Sequence, residues 1–289
     1  MKTFTIVPSG AFSLKESAEF GFGQRSGQPF DGVMRLAFCQ DDLEHQAGVE
    51  LRQDERGVHG QIVGGSEDVD AIEAQVARVL SLDADAAGFA EVGRRDPVIG
   101  ALQAAAPGLL SPLFHSPYEG AAWSVLSARR PATQMAEVRR KLSEQYGRVF
   151  MLAGQRLAAL PTPEQLLGVS EFAGIPAEKL ARLHGVARAA LDGLLAVGRL
   201  RGFGPEVATA ELQRIKGIGP FYASLITIRA TGFTDVLPAD EPIARDLVTR
   251  LYALDKACEP ADFEAIAQAW RPYRTWATVL VRAAGHRIL

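Results

Sequence analysis

Residues 211–252 hold the backbone and side chains best suited to chemistry. Leu212 and Ile215 close the apolar face of one helix, Gly217-Ile218-Gly219 follows, and Ala223, Ile226 and Ile228 lie in the next helix. Glycines at both ends of such a turn let the backbone bend sharply and approach a ligand with no Cβ in the way. At the start of the second helix, N–H groups without helical partners face outward and suit an anion such as a nucleic-acid phosphate. Gly217, Ile218, Gly219 and Pro220 are the candidate phosphate-holding positions of this helix-hairpin-helix. About 20 residues further on, the loop Leu237-Pro238-Ala239-Asp240 opens another helix at Glu241-Pro242. A carboxylate there caps the helix that follows, and Asp240 is the natural candidate.

The elements that must position this pair divide into two kinds. From Thr3 to about Gly64 the pattern favours strands: TFTIV, then VMRLAFC at 33–39, then a hairpin over 48–64. In the hairpin Val49 and Leu51, then Val58 and Ile62, alternate with polar residues around Asp54-Glu55-Arg56-Gly57. Ser66 offers an N-cap to a helix in which Val69, Ile72, Val76, Val79 and Leu80 recur at helical spacing. After Asp96 alternation disappears, and everything downstream reads as helices. YEGAAWSVLSA follows Ser116-Pro117 and ends near Pro131, and ATQMAEVRRKLSEQYG stops at Gly147. Further helices are expected at 163–170, 176–195, 206–214, 220–231, 241–252, 261–269 and 273–284. The expected fold is mainly α: a small α+β domain with an antiparallel sheet over 1–108, then a helical region over 109–289.

Composition excludes several classes. With 289 residues, 47% hydrophobic and 22% charged, the chain is neither disordered, collagen-like nor a coiled coil. No apolar run reaches the roughly 18 residues of a membrane span, and MKTFTIVPSG lacks a signal peptide's apolar centre, so a cytoplasmic location is expected. Cys39 and Cys258 alone assemble neither a disulfide framework nor a four-thiolate cluster. His45, His59, His115, His184 and His286 show no metal-ligand spacing. A net charge of −3 is uninformative about a nucleic-acid partner, but basic residues gather at Arg129, Arg130, Arg139, Arg140 and Lys141 and again at Arg271, Arg274, Arg282 and Arg287.

Hairpin and aspartate loop at this spacing resemble the helix-hairpin-helix superfamily of DNA glycosylases, and within it the DNA-3-methyladenine glycosylase II type. The resemblance runs over nearly the whole chain, from the small α+β domain through the helix SPYEGAAWSVLS, the hairpin at 211–231 and the aspartate loop at 235–241 to WRPYRTWA. It implies base excision repair: a damaged base is flipped from double-stranded DNA and its N-glycosidic bond hydrolysed, leaving an abasic site. Asp240 falls on the family's catalytic aspartate, where a carboxylate stabilises an oxocarbenium-like sugar and orients water. Asp235 and Glu241, the neighbouring carboxylates, are taken as structural. Strand-cutting relatives carry a lysine two residues after the hairpin's second glycine; Phe221 stands there, so the implied chemistry is monofunctional.

The resemblance implies no required cofactor and no iron–sulfur cluster, but a potassium or sodium ion held at the hairpin by main-chain carbonyls of Ile215 and Ile218. The implied pocket walls are Phe221 and Tyr222; Leu225 and Arg282 occupy positions where relatives carry aromatics, and a cationic Arg282 would oppose a cationic alkylated base unless it paired with a carboxylate or pointed to DNA. Tyr118, Trp123 and Trp276 are further candidate walls, although their spacing fits core packing equally well. The loop 127–131 matches the segment that fills the gap left by the flipped base, and Arg129 or Arg130 replaces the usual apolar wedge. A monomer is expected, since one flipped base needs one chain. Two alternatives stay open: the same chemistry on oxidised or deaminated bases, and a DNA-binding protein without turnover in which Asp240 is only a cap.

Overall fold

The computed structural model describes residues 2–20, 29–238 and 240–289. Strands β1 (Lys2–Ile6), β2 (Met34–Cys39), β3 (Gln46–Asp54) and β4 (Gly57–Gly64) form an antiparallel sheet in the order β1-β4-β3-β2. The β3–β4 hairpin pairs Asp54 with Gly57, which leaves Glu55-Arg56 as its loop. The alternation sends Phe4, Ile6, Leu36, Phe38, Val49, Leu51, Val58 and Ile62 into one core. Helix α1 (Leu14–Phe20) packs beside β2, and α2 (Val69–Val79) lays Ile72 and Val76 against that core. Ser66 does not cap α2: the Asp68 carboxylate accepts from Ala71 N at 2.9 Å, while Ser66 Oγ turns to Gln40. Helices α3 (Ala86–Arg95) and α4 (Pro97–Ala105) complete this part.

Next come α5 (Pro117–Ser127) and α6 (Ala132–Tyr146). Ser116 caps α5, accepting from Glu119 N at 3.1 Å. The region is not purely helical as expected, because β5 (Val149–Leu152) and β6 (Gln155–Ala158) form a two-stranded hairpin. Its tight turn is Ala153-Gly154, both at positive φ (42° and 78°). Phe150 of β5 rests on Gly48 of β3, where any Cβ would meet the ring at 2.6 Å. The chain continues with α7 (Pro163–Leu167), α8 (Ala177–Leu191), α9 (Val197–Phe203), α10 (Pro205–Gln213), α11 (Pro220–Thr231), α12 (Pro242–Leu251), α13 (Pro260–Ala267), a 3-10 turn (Gln268–Trp270), α14 (Arg274–Ala284) and a second 3-10 turn (Gly285–Arg287). The stretch 176–195, read from sequence as one helix, ends at Leu191, where Asp192 and a left-handed Gly193 (φ 75°) stop it. Proline opens α4, α5, α7 and α10 to α13, at the position where its missing N–H costs nothing.

Among the described residues two large apolar cores result, with a small third one of Ala37, Phe150, Leu152 and Ala159 beneath the β5–β6 hairpin. One holds α5 to α11, through residues such as Tyr118, Val125, Leu183, Ile218 and Ile226. The other joins the sheet and α2 to α4 with the end of the chain, where Ala244, Val248, Phe263, Trp270 and Leu280 pack against it. Packing therefore runs across 108/109, and each buried Leu, Ile or Phe adds about 1.5–3 kcal/mol to the assembly. Trp276 belongs to this second core: it is 2% exposed and meets Phe89 edge-on at 5.4 Å. Polar bonds cross the junction at Glu119, whose buried carboxylate accepts from Cys39 N (2.9 Å) and Arg139 Nη2 (2.5 Å) and lies 3.0 Å from His115 Nδ1.

Candidate active site

The hairpin between α10 and α11 is built as its glycines require. Ile218 N donates to Ile215 O at 3.0 Å, and Gly217 adopts φ 102°, a conformation that side chains avoid. A Cβ at Gly217 would also meet Arg182 Cδ of α8 at 3.1 Å. Ile215 and Ile218 bury their side chains, so only their backbone faces outward. Gly219 precedes α11 with open space at its Cβ position, and no side chain caps that helix. The first N–H groups of α11 are thereby left available to an anion.

Asp240 lies in a turn just ahead of α12 and is exposed. It is not the cap. Glu241 holds that place, its carboxylate accepting from Ala244 N at 2.5 Å. The same carboxylate stands 3.3 Å from Arg282 Nη1 of α14, so this arginine is paired with an acid. Asp235 is engaged as well: Arg274 Nε and Nη2 donate to its two oxygens at 2.7 and 3.0 Å, and Arg271 Nη1 reaches it at 3.3 Å. Thr275 secures the adjacent residue, its hydroxyl accepting from Val236 N and donating to Val236 O, both at 2.9 Å. The loop is thus tied to α14 on one side and to α12 on the other. Among the described residues the Asp240 side chain makes no hydrogen bond or ion pair, unlike either neighbouring acid.

The expected pocket residues separate by burial. Tyr118 is fully buried and its hydroxyl donates to Pro161 O at 2.8 Å. It belongs to the core and lines no open pocket, because α5 is enclosed on nearly every side. Trp123 is the single residue of α5 outside the buried set, and Leu225 and Tyr222 are likewise half-buried. Phe221 is 67% exposed, with its ring edge-on to Tyr222 at 5.2 Å. The Tyr222 hydroxyl lies 3.3 Å from Ser127 Oγ, which also donates to Trp123 O at 2.8 Å. Ser127 therefore links the start of α11 to the end of α5, a contact the sequence signalled only through the four-residue spacing from Trp123. A Cβ at Gly120 would stand 3.3 Å from the Phe114 ring and in ordinary contact with Ile226 of α11 at 3.6 Å.

Immediately after Ser127 the chain turns. Arg129 takes φ 56°, left-handed and without glycine's freedom, at an exposed tip. Of the basic residues that clustered in the sequence, most are committed elsewhere. Arg139 serves Glu119, Arg140 and Lys141 serve Glu137, Arg271 and Arg274 serve Asp235, Arg282 serves Glu241 and Arg287 serves Glu16. Arg129 and Arg130 remain, both exposed and, among the described residues, without a side-chain partner. Arg140 and Lys141 meet Glu137 at helical spacing, whereas Arg139, Arg271, Arg274, Arg282 and Arg287 find their acids only through the fold. Two cations of α8 that the sequence reading passed over, Lys179 and Arg182, reach the α5–α6 turn and the hairpin respectively.

Comparison with known proteins agrees with this geometry. No family model matches the chain. It is 30% identical over 211 residues to a Mycobacterium tuberculosis protein described as a probable bifunctional transcriptional activator/DNA repair enzyme AlkA, covering 71% of this chain and 41% of that protein. The chain thus spans less than half the length of that relative. It is 22% identical over 203 residues to a DNA-3-methyladenine glycosylase of Bacillus subtilis, covering 69% of this chain and 67% of the relative. In three dimensions it is similar to a 3-methyladenine DNA-glycosylase from Archaeoglobus fulgidus, with a TM-score of 0.78 at 19% identity over 100% of this chain and 99% of that one.

Proposed function

Because the chain belongs to the helix-hairpin-helix superfamily of DNA glycosylases, we propose that it hydrolyses the N-glycosidic bond of alkylated purines such as 3-methyladenine and 7-methylguanine in damaged duplex DNA. The observation that carries this reading is the unengaged carboxylate of Asp240 between two engaged ones. Asp235 is neutralised by Arg274 and Arg271, and Glu241 by Arg282 and the α12 cap, so neither is free to face a developing cation. Asp240 is exposed, and the loop around it is anchored at both ends.

An alkylated purine carries formal positive charge and leaves as a neutral base when the C1′–N bond breaks. The electron deficit stays on the sugar, and a nearby carboxylate lowers its energy. Water then bonds to C1′ and loses a proton, for which Asp240 is the nearest base. No lysine stands at Phe221, so an abasic site and an intact strand are the products. The nucleotide must first leave the duplex, with the N–H groups of Gly219, Phe221 and Tyr222 holding a phosphate and Arg129 or Arg130 entering the vacated space. Phe221, Tyr222, Trp123 and Leu225 provide the apolar and aromatic surface against which the base would rest.

A potassium or sodium ion fits the hairpin as a structural aid. Gly219 has open space at its Cβ position, and Ile215 O, accepting a hydrogen bond from Ile218 N, keeps a second lone pair. Such an ion would add positive charge beside the phosphate. One chain acting on one base suffices as the working unit.

The test is release of free base from methylated duplex DNA, followed by chromatography for wild type and Asp240→Asn. Loss of release in the variant by about 100-fold or more, with binding to abasic-site DNA kept, supports the proposal. Equal release by both proteins, or by neither, would overturn it.

A further inference from the structure

The carbonyls at the end of α5 are shared out with care. Ser124 O accepts from Ala128 N at 3.2 Å and Ser127 O from Arg130 N at 3.1 Å. Lys179 of α8 takes two of the others: its Nζ donates to Leu126 O at 2.7 Å and to Ala128 O at 3.1 Å. These two oxygens flank Ser127, directly before the left-handed Arg129. The last carbonyls of a helix have no partners of their own and attract a cation.

Lys179 is costly to keep where it is. It sits in the first turn of α8, whose dipole disfavours positive charge, and partial burial together with Arg130 and Arg182 holds its ammonium below the usual lysine range. Two carbonyl acceptors offset that cost only if the lysine stays on the turn. One helical turn along α8, Arg182 lies over Gly217. The same face of α8 thus supports both the α5–α6 turn and the hairpin, while Tyr222 holds Ser127 from the other side.

We propose that Lys179 is a positioning residue for gap filling: from α8 it fixes the carbonyls on either side of Ser127 and so holds Arg129 out, shaped to enter the duplex where the target nucleotide leaves. This rests on the glycosylase reading above. The lysine touches neither base nor sugar; it acts through Arg129. Without the clamp the turn samples the right-handed conformations that a non-glycine residue prefers, and Arg129 is presented only part of the time.

The full chain is tested as Lys179→Met, Lys179→Arg, Arg129→Ala and the Met/Ala double variant. Single-turnover base release is measured from a methylated duplex and from the same methylated strand alone, and 2-aminopurine beside an abasic site in a duplex reports unstacking at saturating protein. Lys179→Met is expected to lower the duplex-to-single-strand rate ratio about ten-fold and to reduce the unstacking signal. Lys179→Arg restores both, and the double variant is no worse than Arg129→Ala alone, because the two act as a unit. A fall in both substrates alike, an unchanged ratio, or additive losses would overturn the proposal. Should wild type release no base, the glycosylase reading fails while the 2-aminopurine signal still decides the role of Lys179.

Discussion

Glu241 and Arg282 face each other across 3.3 Å beside Asp240, with the second oxygen of Glu241 capping α12. One acid thus holds the entrance of a helix and pairs with a cation that, on the proposed function, would otherwise repel an alkylated base. Asp240 is left unencumbered because Glu241 takes both duties.

Glu241→Gln should keep an acceptor for Ala244 N but release Arg282 as an unpaired cation. Catalytic efficiency on methylated purines is expected to fall about ten-fold, equivalent to about 1.4 kcal/mol. Adding Arg282→Gln should recover most of it. Steady-state release from methylated DNA checks this, and a double variant as poor as the single one would refute the electrostatic account.

Arg130 is exposed and unpaired, whereas Arg140 is held between Glu137 and Glu144 at 2.6 Å each. Neutralising a residue that contacts a phosphate removes roughly one unit from the salt dependence of binding. Arg130→Gln should therefore flatten the plot of log affinity against log salt by about 0.9, with Arg140→Gln parallel to wild type. Anisotropy titrations on abasic-site duplex across salt concentrations give both slopes, and equal changes in the two would remove Arg130 from the interface.

Glu119 carries a pH dependence with a defined sign. Burial alone would raise its carboxyl, but His115, Arg139 and the Cys39 N–H outweigh burial and hold it below the usual range. A depressed carboxylate adds stability above its unfolded value of about 4.3, and that stability is lost as pH falls through the folded value. Glu119→Gln should cost about 3 kcal/mol at neutral pH by leaving Arg139 uncompensated. The gap in melting temperature between wild type and variant should narrow steadily as pH falls below about 4.3. A gap that stays constant down to pH 3 would show that Glu119 acts through packing alone.

Helices at 220–231 and 241–252 and the first sheet were legible in the sequence because spacing, glycine and proline placement point the same way there. The β5–β6 hairpin was not: four apolar residues, Val149 to Leu152, read equally as a buried helical turn, and its turn uses Ala-Gly where Asn-Gly would have been recognisable. Caps were misread for one reason at both sites. Ser66 and Asp240 each precede another suitable oxygen, Asp68 and Glu241, and the choice depends on backbone angles that sequence does not expose. Tyr118 could not be told from Trp123 by periodicity, since a helix enclosed on all sides has no apolar stripe. The chemically important pairings, Arg282 with Glu241 and Lys179 with the α5 carbonyls, join residues 41 and 53 positions apart and follow only from packing.

The way the two cores share the chain bears on how the molecule is made. Apart from Cys39 of β2, the core of α5 to α11 is supplied by the stretch 114–230. The sheet is synthesised before α5 to α11, yet its core is filled by Ala244 to Ala284, which leave the ribosome after them. Assembly therefore runs against the order of synthesis: the middle of the chain can close its interior while the beginning still waits for the end. Until that moment Phe38, Leu51 and Val58 lack part of their cover, and the stretch bearing Asp240 is anchored at the same late step. A chain halted before α14 would carry a completed hairpin and an aspartate loop not yet tied in place.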